Sequence, residues 1–409
     1  MLLGVVEGFY GPFWDWVERV NLMEFLGRVG LNTYIYAPKW DQHHRDWWRV
    51  PYDTNFSDKL AMLVDSASRY GVRVVFALSP GLDIDYSSRH DQDLLLRKIS
   101  WAMELGIEDL ALFLDDVPPI LRGGGFKSLA EAQSSLVNKV FRELNPRSLV
   151  FCPTHYYGLR EEYMRELGSL VDLSIHIVWT GMWVASHRIS VEDLESASNL
   201  LGRKPFIWDN YPVNDYFTAN GITRLHLGPI KNRPRDFTKY IAGYVSNPMN
   251  QCEASKIPLY TIAEALLSSS YNPQRSMLDA VDYVLNKNSR YWFKMFLDFN
   301  RASFMDLNEK TVETEEDAGE VIELTRELRE SLSNKKLLKE VEPVLSKMDS
   351  IARYVRGEVH HLSWRVQTSG EYNPPITTER MLNDIFGVEA RLIPWYSKAY
   401  RIPQHSYRS

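Results

Sequence analysis

Over its first 250 residues the chain alternates short apolar, β-branched runs with longer stretches in which apolar residues return every three or four positions. The short runs predict strands over residues 2–7, 33–37, 72–78, 109–114, 148–152, 174–178, 205–208 and 243–246, because runs of this length and composition suit a buried sheet. The stretches between them carry a helical period. One covers residues 16–29, with Val17, Val20, Met23, Leu26 and Val29 on one face, and another covers 57–70, with Leu60, Leu63, Ala67 and Tyr70. Ser57 is placed to cap the second helix, and Gly30 and Gly71 stand where a helix C-cap precedes the next strand. Eight strands with helices between them fit a (β/α)8 barrel, an α/β TIM-barrel fold, since right-handed crossovers leave few other closed arrangements. An open doubly wound sheet remains as an alternative, although no G-x-G-x-x-G follows the first strand. After about residue 265 the strand signals stop. Residues 301–350 hold 8 basic and 13 acidic side chains, and Leu337, Val341, Val344, Met348, Ile351 and Val355 recur at helical spacing. The expected division is a catalytic barrel over 1–265 and a helical bundle over 266–409. The bundle reads as a packing or dimerising domain, and its tail, 367–409, is expected to fold back as loop and short helix.

Composition narrows the chemistry. In 409 residues, 44% hydrophobic and 24% charged side chains give an ordinary globular balance with enough apolar surface for a large core. Lys and Arg number 47 against 53 Asp and Glu, a net charge of −6, which argues against nucleic acid or an anionic membrane as partner. Two cysteines, Cys152 and Cys252, build neither a disulfide framework nor a four-ligand zinc site, and they suit a reducing compartment. The first apolar run is broken by Glu7 and no later run reaches ~18 residues, so a soluble, cytoplasmic protein is expected. The unusual feature is aromatic, with 12 Trp and 22 Tyr. Such side chains pave sugar sites, where an apolar C–H face and a rim of hydroxyls meet an apolar ring with a polar tip.

Barrel chemistry sits at the C-terminal ends of the strands. Those ends are polar almost throughout: Glu7-Gly8-Phe9-Tyr10-Gly11, Pro38-Lys39-Trp40-Asp41, Ser79-Pro80-Gly81, Asp115-Asp116, Pro153-Thr154-His155-Tyr156, Trp179-Thr180-Gly181, Asp209-Asn210 and Asn247-Pro248. One polar end is ordinary loop chemistry; a full ring of them points to a site. An isolated Asp-Asp usually caps a helix or turns a loop, but Asp115 and Asp116 follow the apolar run ending at Leu114 and face that ring. Two carboxyls so close resist ionising together, so one is expected to act as a proton donor and the other as an anion. Glycosidic cleavage ordinarily places its two carboxylates on opposite sides of the scissile bond, which neighbours in sequence do poorly. A 2-acetamido sugar removes the difficulty. Its acetamido oxygen attacks the anomeric carbon and forms an oxazoline, so the enzyme needs an acid at the glycosidic oxygen and an anion at the acetamido N–H, side by side.

Weaker signals complete the picture. Lys39, at a strand end, suits a hydrogen bond to a sugar hydroxyl or to the site carboxylates. His43 and His44 near Asp41 lack a partner at ligand spacing, so neither a metal nor another cofactor is expected. Cys152 reads as a buried strand residue. The segment Trp208-Asp209-Asn210-Tyr211-Pro212-Val213-Asn214-Asp215 gathers amides, carboxylates and aromatics suited to sugar hydroxyls, with Trp208 available to pack on an acetamido methyl.

With Gly4-Val5-Val6-Glu7-Gly8-Phe9-Tyr10-Gly11-Pro12, Asn32-Thr33-Tyr34-Ile35-Tyr36-Ala37-Pro38-Lys39, Ala77-Leu78-Ser79-Pro80-Gly81, Leu114-Asp115-Asp116, Trp179-Thr180-Gly181, Trp208-Asp209-Asn210 and Ser246-Asn247-Pro248 in order, the chain resembles glycoside hydrolase family 84. That family holds the O-GlcNAcases and related β-N-acetylglucosaminidases. The resemblance covers about residues 4–265, and beyond them only a helical domain after the barrel is similar. It implies that Asp115 orients and polarises the acetamido group and that Asp116 is the general acid, then base, of a retaining, substrate-assisted hydrolysis of terminal β-linked GlcNAc from a glycoside or glycoprotein. It also implies contacts to the sugar from Gly8, Lys39, Asn210, Asp215 and Asn247, walls from Tyr156 and Trp208, and leaves a homodimer open. One departure stands out: the family often has an acidic residue directly after the lysine, where this chain has Trp40. Two other readings stay in play, a non-catalytic glycan-binding protein on the same fold and a chitinase-like endo-glycosidase.

Overall fold

A computed structural model describes residues 1–219 and 223–359, and these divide into two compact units. The first comprises Met1–Tyr211 and Arg233–Asn250, the second Pro212–Asn232 and the chain from Gln251 onward. In chain order the elements are β1 (Leu3–Glu7), α1 (Trp16–Arg28), β2 (Thr33–Tyr36), α2 (Thr54–Arg69), β3 (Arg73–Leu78), α3 (Arg89–Glu104), β4 (Asp109–Phe113), α4 (Leu129–Leu144), β5 (Ser148–Cys152), α5 (Glu161–Leu170), β6 (Ile175–Trp179), α6 (Val191–Leu201) and β7 (Phe206–Asp209). A short helix of the second unit, α7 (Asp215–Ala219), precedes β8 (Gly243–Ser246). The second unit continues with α8 (Cys252–Leu267), α9 (Pro273–Val284), α10 (Lys287–Asp298), α11 (Glu315–Ser331) and α12 (Lys335–Val355).

All eight strands are parallel and each pairs with the next; β8 returns to β1 through Leu3 opposite Tyr244, which closes the barrel. The (β/α)8 expectation therefore holds, with strand ends within one residue of those predicted, and the open sheet is excluded. Strands buried on both faces explain why the runs read as continuously apolar and not alternating. At the opposite end of the barrel, Asp109 opens β4 as a fully buried acid. It accepts from Arg73 Nε at 2.8 Å and from Arg147 Nε at 3.1 Å, consistent with charged pairs at that face serving stability.

Helix details correct the sequence in two places. The N-cap of α2 is Asp53, whose carboxylate accepts from Phe56 N at 2.7 Å. Ser57 lies inside the helix, its hydroxyl turned back to donate to Asp53 O. A carboxylate also suits the positive end of the helix dipole, so Asp53 outcompetes the hydroxyl. In α1 the buried face is Arg19, Leu22, Met23, Phe25 and Leu26, while Val17 is 58% exposed. A buried acid, Glu7, pulls Arg19 inward and rotates the helix away from the apolar stripe its spacing suggested. Gly30 and Gly71 do follow the C-caps of α1 and α2, at φ 84° and 69°, a left-handed conformation that glycine adopts cheaply.

Much of the aromatic excess is structural. Tyr52 stacks on Phe56 at 3.8 Å and on Trp101 at 5.2 Å, and Trp16, Tyr36 and Phe76 extend the cluster beneath the 41–50 segment. In the second unit α11 and α12 pack together, and Leu324, Leu328, Leu337, Val341, Leu345 and Met348 are buried on them. Ile351 and Val355, expected on that face, are only half-buried, and Ala352 takes the inner position. The predicted tail 367–409 lies outside the described residues.

Candidate active site

Acids stand at the C-terminal ends of four of the strands, and what neutralises each one sorts them. Glu7 is fully buried. Arg19 donates to it twice at 2.8 Å, Trp14 N donates at 3.1 Å, and the Tyr34 hydroxyl is a further donor. Asp41 accepts from the hydroxyls of Tyr36 and Tyr52 at 2.7 and 2.6 Å and from His43 N at 3.0 Å. Asp209 is gripped by the Arg233 fork, both contacts at 2.8 Å, and by Tyr244 at 3.0 Å. These three carboxylates are committed to the scaffold.

The β4 end differs. Asp115 is only 5% exposed and pairs through Oδ2 with the ammonium of Lys39, while its buried Oδ1 has no hydrogen-bond partner among the described residues. A buried carboxylate oxygen with an open lone pair is costly, and this sets Asp115 apart from the three braced acids. Asp116 is exposed, and its φ of 53° puts a non-glycine residue in the left-handed region, at a cost of about 1–2 kcal/mol. That turn separates the two neighbours: Asp115 points into the barrel and Asp116 stands at the mouth. Tyr156 donates to Asp116 Oδ1 at 2.6 Å and Tyr10 to Oδ2 at 3.0 Å. Burial first, then the charge of Asp116, pushes both phenols far above the ordinary tyrosine range, so they remain protonated donors.

Around this pair the barrel is apolar. Tyr156 and Trp208 belong to one buried cluster with Val6, Ala37, Phe113 and Cys152, and burial pushes the Cys152 thiol well up, leaving it an unreactive core group. The Trp208 ring lies 5.1 Å from Phe113 and 5.7 Å from Lys39 Nζ. A Cβ on Gly8 would fall 2.4 Å from that ring, so only glycine lets it lie against the β1 end. Trp208 Nε1 and Asn247 Nδ2 both donate to Asn210 Oδ1 at 2.9 Å, and Asn210 Nδ2 donates to Val184 O at 2.7 Å. Asn247 Oδ1 is likewise a buried acceptor with no partner among the described residues.

Of the residues singled out in the sequence, Gly8, Lys39, Asp115, Asp116, Tyr156, Trp208, Asn210 and Asn247 are joined by these contacts. Asp215 belongs to the second unit, where it opens α7. Trp40, the departure from the family pattern, is 56% exposed. His44 is buried and neutral in character: its Nδ1 donates to Ala77 O at 2.9 Å, and burial, helped by Lys39, pushes its pKa down to about 3. Among the described residues no group of His, Cys, Asp and Glu is arranged to hold a metal ion. Nor is any described helix long and apolar enough to cross a membrane. Two contributors gave no clear sign in the sequence. Tyr10 stood in the strand-end motif without a role, and Arg45, which donates to Asp116 O at 2.7 Å, to Asp115 O and to Ser79 Oγ, gave no signal because two of its three partners are main-chain oxygens.

The profile of the family described as beta-N-acetylglucosaminidase matches residues 3–298. The chain belongs to this family of glycoside hydrolases. Other comparisons agree with the assignment to family 84. Protein O-GlcNAcase of Rattus norvegicus and that of Mus musculus are each 36% identical over 273 residues, covering 64% of this chain. The chain spans 29% of the length of those two relatives. Among solved structures, a mutant of Thermobaculum terrenum O-GlcNAc hydrolase superposes with a TM-score of 0.81 at 30% identity, over 97% of this chain and 94% of the other. In this beta-N-acetylglucosaminidase family member, therefore, the four strand-end acid positions resolve into three braced ones and one open pair.

Proposed function

We propose that this protein is a retaining, exo-acting β-N-acetylglucosaminidase of the O-GlcNAcase type, releasing terminal β-linked GlcNAc from a glycoside or from a modified protein by substrate-assisted catalysis. The observation that carries the reading is the unpartnered, buried Oδ1 of Asp115, beside an exposed Asp116. An acetamido N–H is the donor that Oδ1 lacks. With that hydrogen bond made, negative charge on Asp115 raises electron density on the acetamido oxygen, which attacks C1 as the C1–O bond breaks. Asp116 gives its proton to the departing oxygen. The positive charge of the resulting oxazolinium is balanced by Asp115, itself paired with Lys39. Asp116, now a carboxylate, takes a proton from water as that water adds to C1, and the oxazoline reopens to β-GlcNAc with overall retention. The substrate itself supplies the nucleophile that reaches C1 from the face opposite the leaving group, so the protein needs only an acid at the glycosidic oxygen and an anion at the acetamido N–H, which adjacent residues can provide.

In the same reading Tyr156 and Trp208 wall the acetamido methyl, and Gly8, Lys39, Asn210 and Asn247 contact the sugar. The barrel over 1–265 is the catalytic domain, and the helical region that follows it is the candidate surface for a homodimer. The two unpaired cysteines fit a cytoplasmic setting. Nucleic acid and membranes are not partners, and no cofactor is needed. The test is turnover of an aryl β-GlcNAc beside the matching aryl β-glucoside, with a GlcNAc-modified peptide and a chitin oligomer series. The expected result is release of single GlcNAc units and no glucosidase activity. Equal turnover of the glucoside would overturn the mechanism, internal cleavage of the oligomer would favour an endo enzyme, and tight GlcNAc binding without turnover would favour a glycan-binding protein.

A further inference from the structure

The two carboxylates owe their divergence to the backbone, and that backbone is held by a side chain outside the sugar site. Arg45 is 6% exposed and lies in the segment between β2 and α2. Its Nη2 donates to Asp116 O at 2.7 Å, and its Nη1 to Asp115 O at 3.4 Å and to Ser79 Oγ at 3.3 Å. The carbonyl before them is held as well, since Thr154 Oγ1 donates to Leu114 O at 2.8 Å and receives a hydrogen bond from Gln133 Nε2 at 2.6 Å. Three successive carbonyls, those of Leu114, Asp115 and Asp116, are thus pinned by side chains. The guanidinium spans the last two, including the one residue here whose φ of 53° is unfavourable. A buried arginine given over to neutral oxygens, with no carboxylate partner in its hydrogen bonds, is an expensive arrangement unless the geometry it imposes is needed.

We propose that Arg45 is a positioning residue: by holding the carbonyls of Asp115 and Asp116 it keeps Asp116 in the left-handed turn that aims its carboxyl at the leaving-group oxygen. Arg45 does not itself touch the sugar. The inference rests on Asp116 being the general acid. Losing the fork frees the Asp116 peptide to relax to a negative φ, which swings its carboxyl away from the tyrosine hydroxyls while Lys39 and the Trp208 wall stay in place. A misplacement of ~1 Å at a reacting group is enough for a loss of about 100-fold.

The experiment compares wild type, Asp116→Ala, Arg45→Met and Arg45→Lys on an activated aryl β-GlcNAc and on an alkyl β-GlcNAc, whose leaving group needs a proton, together with GlcNAc affinity. Arg45→Met is expected to lose about 10-fold more on the alkyl substrate than on the aryl one, and to lose the limb of its pH profile due to the acid, with GlcNAc affinity within about threefold of wild type. Arg45→Lys, which retains charge but not the fork, should fall between the two. Equal losses on both substrates, or a parallel loss of GlcNAc affinity, overturn the proposal and leave Arg45 a residue of general stability. Failure of both variants to fold by circular dichroism overturns it in the same way. Should Asp116→Ala itself show no dependence on leaving group, the assignment of the acid fails and the role of Arg45 falls with it.

Discussion

Glu7 at the end of β1 and the Asp115-Asp116 pair after β4 are the same kind of residue at the same rim of one barrel, and they have opposite fates. Glu7 is surrounded by donors, with both oxygens satisfied and a fork-to-fork arginine pair. Asp115 keeps one oxygen unsatisfied and Asp116 is open to solvent. Burial alone does not separate them, since both Glu7 and Asp115 are buried. The number of donors does. A carboxylate whose lone pairs are all filled by the protein holds the fold; in the proposed function the one with an open lone pair meets the acetamido N–H of the substrate.

The largest test of that contrast is functional. Asp116→Ala should lower kcat/KM about 10²–10⁴-fold on a substrate with a poor leaving group and far less on an activated aryl glycoside. Asp115→Ala should cost about 10²–10³-fold on both, because it acts on the acetamido group in either case. If Glu7→Ala produced the same leaving-group pattern, the contrast would collapse. Its expected effect is instead on stability, a loss of about 3–5 kcal/mol in urea unfolding, because Arg19 is left charged and buried without its partner.

Smaller effects sharpen the same distinction between satisfied and unsatisfied groups. His44 carries a buried Nε2 with no partner among the described residues, and burial pushes its pKa down to about 3. In the unfolded chain it titrates near 6.5, so between those values the unfolded state holds the extra proton. Stability from His44 is therefore complete above about pH 6.5 and declines as pH falls toward 3, by up to about 1.4 kcal/mol per pH unit. His44→Gln should flatten the measured stability slope between about pH 6 and 4 by that amount. His226, also pushed down to about 3 by burial, gives a second, independent contribution that remains. The smallest test concerns the cap of α2: Asp53→Ala should cost about 1 kcal/mol in thermal unfolding, and Ser57→Ala no more than about 0.5 kcal/mol. The reverse order would restore Ser57 as the cap.

The barrel was legible in the sequence because each strand is a continuous apolar run and each is followed by a polar residue at the rim. Of the candidate site, Asp115, Asp116, Lys39 and the Trp208-Asn210 corner were singled out from position alone, and the structure brings them together. What the pattern hides is pairing across the fold. Nothing in the local sequence tells Glu7, Asp41 and Asp209 apart from Asp115, because Arg19, Tyr52 and Arg233 approach from other segments. Arg19 itself sits on a helix whose apolar spacing pointed elsewhere. Arg45 follows two histidines in a Trp-rich segment, and its bonds to main-chain oxygens leave no mark on residue identity. The aromatic excess was half-informative for a related reason: Trp208 and Tyr156 line the barrel mouth, whereas Trp16, Tyr52 and Trp101 fill a structural cluster with the same composition.

The central claim is that the substrate's own acetamido oxygen is the nucleophile, with Asp115 as its polariser. The most direct measurement is kcat/KM for aryl β-glucosaminides in which the N-acetyl group is replaced in turn by N-fluoroacetyl, N-difluoroacetyl and N-trifluoroacetyl. Each fluorine weakens that oxygen, so the account predicts a stepwise fall in rate along the series. A flat series would contradict it and require an enzyme nucleophile in place of the acetamido group.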